Sequence, residues 1–80
     1  MMLDFNNDAL PLVAHALMPL VGEQVTIDGC LPDGKDYLPG TLVRVEAADD
    51  GAIIDVRRDY SEEVMRLHVP QEAHRVRMVR

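Results

Sequence analysis

The sequence has no tryptophan, one phenylalanine and two tyrosines among its 80 residues. So few aromatics leave no Trp-containing row on which to stack polyproline and too few rings for a cage around methylated side chains. Cysteine is nearly absent too. Cys30 stands alone, so no internal disulfide can form, which fits a reducing compartment. Neither a base nor a second thiol lies near it in sequence to activate it. Long apolar runs are also missing. The longest, Ala9 to Val21, contains two prolines and falls well short of the roughly 20 residues a membrane span needs. The N-terminal stretch carries Asp4 and Asp8 but none of the positive charge that opens a signal peptide. A cytoplasmic protein with no membrane contact is expected. Lysine is scarce: one against seven arginines, as in a GC-rich bacterial genome.

Catalytic equipment is equally sparse. Ser61 is the only serine and sits among acids, a poor setting for a nucleophile. No glycine-rich phosphate loop occurs. Five residues, one of them Pro70, separate His68 from His74, and Cys30 is distant, so no zinc-ligand spacing is present. The pairs Asp49–Asp50 and Glu62–Glu63 fall in turns, where solvated charge is the ordinary role. The sequence therefore predicts no cofactor, no metal and no enzyme.

What is present is a pattern. Eighty residues make one domain, whose stability is marginal because a short chain buries only about 60% of its unfolded surface. Asp8 is placed to cap a helix over residues 8–21, with Pro11 early enough to need no donor. The segment is apolar on nearly every side, with His15 its only titratable group, and Pro19 must kink or end it. Such a helix needs cover on more than one face. One side is expected to close the end of the following domain. Leu10, Val13, Leu17 and Leu20 are a candidate face for a partner or for a second copy of the chain.

Residues 22–80 alternate with a period of two. Strands are predicted at 24–28, 41–47, 52–57, 64–69 and 75–79, with a long polar loop at 29–40. The inward set is Val25, Ile27, Val43, Val45, Ala47, Ile54, Val56, Met65, Leu67, Val69, Val76 and Met78. Ala48-Asp49-Asp50-Gly51 is a strong turn signal. Register follows from matching faces, since a one-residue slip turns every side chain over. It places Val45 opposite Ile54, Val43 opposite Val56 and Ile54 opposite Leu67. It also creates an outer row Arg44–Asp55–Arg66, whereas the neighbouring register would oppose Arg57 and Arg66.

Gly22-Glu23-Gln24-Val25, Pro39-Gly40-Thr41-Leu42-Val43, Val56-Arg57, Leu67-His68-Val69-Pro70 and Arg75-Val76-Arg77-Met78-Val79 together resemble the layout of SH3-like small barrels, the Tudor and KOW types in particular. The resemblance covers about three quarters of the chain. It implies a mainly β, five-stranded antiparallel barrel preceded by one α-helix. It also implies a ligand surface formed by the 29–40 loop and the turn between the third and fourth of these strands. The candidate binding residues are Asp33, Asp36 and Tyr37 in the loop, Arg58 and Tyr60 at the turn, and Arg57 and Arg66 on the adjoining strands. Peptide-binding and methyl-reading members rely on aromatics that this chain lacks.

Charge divides the remaining readings. Residues 1–56 hold ten acids and two bases; residues 57–80 hold four acids and six bases. The net charge of −6 repels polyanions. Arg57, Arg58 and Arg66 are a candidate nucleic-acid patch, but Asp59, Glu62 and Glu63 interleave with them. The favoured expectation is a small protein-interaction or accessory module that acts by binding, its partner another protein or itself. The alternative is a nucleic-acid-binding barrel. An acidic mimic of nucleic acid fits less well, because strand alternation scatters the acids over two faces.

Overall fold

A computed structural model describes residues 2–5 and 13–79. Its strands are β1 (Met2–Asp4), β2 (Gln24–Gly29), β3 (Tyr37–Ala48), β4 (Gly51–Arg58), β5 (Val64–Val69) and β6 (Ala73–Met78). One helix, α1 (Val13–Leu17), runs directly into a 3-10 turn at Met18–Leu20. All strand pairings are antiparallel, in the order β1-β6-β2-β3-β4-β5.

Mainly β architecture and an N-terminal helix are as expected, but the closed five-stranded barrel is not. Six strands form one open sheet. The reason lies in β6. Closure would require β5 to pair with it, yet β6 holds β2 on one edge and β1 on the other. A three-residue strand carries no readable alternation, so β1 is silent in sequence. It is set by Leu3 opposite Val76 and Asp4 opposite Arg75.

The helix also ends before the predicted residue 21, its α-helical part stopping at Leu17. Its proposed start, with Asp8, Leu10 and Pro11, lies outside the described residues. At the other end Pro19 offers no N–H and its ring crowds the preceding turn, so the α-helix gives way at Met18. α1 packs against β3 and β4. Val13, Ala14, Leu17 and Leu20 are buried there, leaving His15, Ala16 and Met18 outside. The partner face assigned to Val13, Leu17 and Leu20 is thus covered by the chain's own sheet. Leu10 lies outside the described residues.

The concave face of the sheet carries Val25, Ile27, Leu38, Leu42, Ile54, Val56, Leu67, Val69 and Val76, all almost fully buried with Leu17. Predicted register holds at Val45–Ile54, Arg44–Asp55, Ile54–Leu67 and Asp55–Arg66. It fails at Val43. A β-bulge between Leu42 and Arg44 puts Leu42, not Val43, opposite Val56, and Val43 stays 43% exposed. An extra residue in one strand shifts every position beyond it. The row Arg44–Asp55–Arg66 exists, but its bonds are unequal. Arg66 Nε donates to Asp55 Oδ1 at 3.0 Å, while Arg44 turns to Glu46 at 3.6 Å.

β3 begins four residues before its predicted start, taking Tyr37 to Gly40 out of the loop. Pro39 was the obstacle to reading a strand there. Its missing N–H faces the side where β4 has just ended, and its carbonyl still accepts from Asp59 N–H at 3.2 Å, so the ladder loses nothing. Next to it, Gly40 lies so close to β4 that a Cβ would meet the Arg57 carbonyl.

Candidate functional site

Two loops meet at one rim of the sheet, residues 30–36 and the turn at 59–63. Each is shaped by a side chain that mimics backbone. Asp33 Oδ1 accepts from Lys35 N–H at 3.0 Å, and Ser61 Oγ accepts from Glu63 N–H at 3.0 Å. Arg58 ties the loops together. Its Nη2 donates to Asp33 Oδ2 at 3.1 Å and its Nε to Glu63 Oε1 at 3.2 Å. Gln24 Nε2 adds a bond to Asp59 Oδ2 at 3.1 Å. The Lys35 N–H, and after it the Arg58 guanidinium, hold the Asp33 carboxyl below its ordinary pKa. Asp33 in turn raises Arg58.

Between the loops is a shallow groove of about 280 Å³ lined by Lys35, Tyr37, Pro39, Arg58, Asp59 and Tyr60. Tyr37 points outward from β3 and is half exposed. Tyr60 is wholly exposed, and its backbone sits at φ +61° in the left-handed region. Few residues other than glycine, asparagine or aspartate adopt that conformation, and a tyrosine there is costly.

Tyr37 also borders a second, more polar depression of about 470 Å³ with Asp28, Asp36, His74, Arg75 and Arg77. Much of its charge is already paired. Asp28 takes both bonds of a bidentate contact with Arg77, at 2.7 and 3.0 Å. Arg75 Nε is buried without a hydrogen bond, 3.9 Å from Asp4 Oδ2.

Of the seven candidate binding residues, Tyr37, Arg58 and Tyr60 therefore line one groove, and Asp33 positions Arg58. Asp36 sits in the polar depression beyond Tyr37. Arg57 and Arg66 are elsewhere, on the convex face of β4 and β5. The patch Arg57–Arg58–Arg66 does not assemble: Arg58 turns to the rim and Arg66 is bound to Asp55, whose contact raises the arginine's pKa further. Lys35 and Pro39 were not singled out in the sequence, and Asp59 only as an acid among the arginines. Only the early start of β3 brings Pro39 and Lys35 beside Tyr60.

Among the described residues no three His, Cys, Asp or Glu side chains come together as a metal site. No helix among them is long and apolar enough to cross a membrane. No family model matches the chain, and no curated protein or solved structure matches it significantly.

Proposed function

We propose that this protein is a small binding module, a variant of the SH3-like barrel opened at β5, that docks an extended segment of another protein across the groove at Tyr37, Pro39 and Tyr60. The fold reading is supported by the order of β2 to β6. β2 to β5 form a meander and β6 returns beside β2, the strand order of a small five-stranded barrel. The functional reading rests on one observation above all. Tyr60 is held at a strained backbone conformation with its ring entirely in water, facing a groove that already carries Tyr37 and Pro39. Strain of this kind concentrates at ligand clamps, and the groove sets this exposed ring beside a second half-exposed tyrosine and a proline. Two tyrosines flanking a proline offer flat apolar walls for an extended chain. Lys35, Asp59 and the Arg58 cluster supply polar contacts at the rim. The module acts by binding, with no catalytic step.

The test is selection from a random peptide library, followed by backbone amide shift mapping with a selected peptide. Shifts should concentrate at residues 33–39 and 58–62. Tyr60→Ala should weaken binding at least about tenfold, as expected for an aromatic at the centre of an interface. Selected peptides that bind elsewhere, or that bind Tyr60→Ala equally well, would sink the reading.

A further inference from the structure

β5 ends the sheet, and no strand among the described residues lies beside its outer edge. Backbone direction along this strand is fixed by two contacts. Arg58 N–H donates to the Glu63 carbonyl at 2.9 Å, so Glu63 and, by alternation, Met65, Leu67 and Val69 turn their polar groups toward β4. Val64, Arg66 and His68 turn theirs outward. His68 is already occupied. Its N–H donates to Glu72 Oε1 at 2.8 Å, and its carbonyl accepts from Glu72 N–H at 2.8 Å. For the N–H and C=O groups of Val64 and Arg66, no partner occurs among the described residues. Val64 is also 50% exposed. An edge in this condition is a template for another strand.

We propose that the β5 edge pairs with the same edge of a second copy, antiparallel, about a twofold axis at Val64. Identical edges meeting about a twofold must run antiparallel. Outward-facing groups must oppose each other, which leaves few registers. Centring on Arg66 sets it against the partner's Arg66, a destabilising pair, and sets Val64 against the partner's His68, whose backbone Glu72 has taken. Centring midway, with Val64 opposite the partner's Arg66, again brings His68 into the paired stretch and leaves Val64 without an apolar neighbour. Centring on Val64 satisfies everything at once. Val64 lies against the partner's Val64, Arg66 lies opposite the partner's Glu62 on both sides of the axis, and Glu72 stays outside. Glu62 is exposed and makes no ion pair among the described residues. Glu72 then sets the register, closing the edge just past the stretch that pairs.

Only a few residues from each chain take part, far less than the roughly 1,200–2,000 Å² of a stable interface. Association is therefore weak and, because of the Arg66–Glu62 contacts, weakened by salt. Sedimentation from about 10 μM to about 1 mM should show a reversible dimer with a dissociation constant in the high micromolar range. Exchange of the Val64 and Arg66 amides should slow as the dimer fills. Glu62→Arg and Val64→Lys alter exposed side chains and should each raise the dissociation constant about tenfold or more, with circular dichroism unchanged. Adding Arg66→Glu to Glu62→Arg should recover part of that loss. A monomer at 1 mM, a dimer indifferent to Glu62→Arg, or protection confined to another surface would each overturn the proposal. So would protection of Val64 and Arg66 that appears only when a different protein is added, which assigns the edge to a foreign strand. Peptide binding at Tyr60 is read separately and does not depend on the outcome.

Discussion

Asp33 shows how one residue can shape a loop without touching a ligand. Its two oxygens serve different partners, the Lys35 N–H within the loop and the Arg58 guanidinium across the groove. Both favour the carboxylate, so the folded pKa lies below the ordinary 3.8. A carboxyl lowered on folding binds fewer protons folded than unfolded. Its contribution to stability is fully present above pH 3.8, declines as pH falls below that value, and is gone once pH passes the folded pKa. Arg58→Ala should move the Asp33 pKa upward but not fully back to 3.8, because the larger influence, the Lys35 N–H, remains. Carbon-detected NMR titration of the Asp33 carboxyl reads this directly. A value unchanged by Arg58→Ala would mean that the guanidinium does not bridge the loops in solution. Such a bond was invisible in sequence, since 25 residues separate the partners. Asp33 and Arg58 could be nominated, each for its own loop, but not joined.

Individual strands were legible where alternation was regular and obscured where one residue broke the rule. β4 and β5 follow the period of two throughout, and their mutual register emerges from charge and face matching alone. β3 contains two irregularities. Pro39 reads as a strand breaker although its missing N–H falls just past the end of β4 and its carbonyl still accepts from Asp59 N–H. Val43 reads as core by alternation with Val45, yet the bulge between Leu42 and Arg44 moves the burial to Leu42. Composition carries no mark of a bulge; it follows from how β3 must bend to keep pairing with both β2 and β4. The contrast yields a measurement. Leu42→Ala removes a fully buried side chain opposite Val56 and should cost about 2–5 kcal/mol. Val43→Ala trims an exposed one and should stay within about 0.5 kcal/mol. Urea unfolding of the two variants decides between them. Equal losses, or a larger loss at Val43, would place the bulge elsewhere and restore the unbroken strand. For a domain this small, the larger loss is a sizeable fraction of all its stability.

At the scale of the molecule, charge is compensated locally despite the net −6. Among the described residues, Arg44 meets Glu46, Arg58 meets Asp33 and Glu63, Arg66 meets Asp55, Arg75 meets Asp4, and Arg77 meets Asp28. Only Arg57 and Lys35 have no such pair among those residues, and they sit on different surfaces. Among the described residues the positive excess of 57–80, legible in sequence, is largely cancelled, because four of its arginines find acids from residues 1–56. That three-dimensional cancellation is what linear charge counting misses. It also weighs on nucleic-acid binding. Affinity for phosphate backbones comes from cations that release counterions, with a salt slope proportional to the number of phosphates neutralised. The two described cations without an acid partner account for a slope of only roughly −2, too shallow by themselves for useful affinity near physiological salt. Fluorescence anisotropy with single-stranded and duplex oligonucleotides should show no saturable binding at about 50 mM salt. Tight binding with a steep slope would require several of these ion pairs to open onto phosphate, and would move the working surface from the tyrosine groove to the arginine-bearing strands.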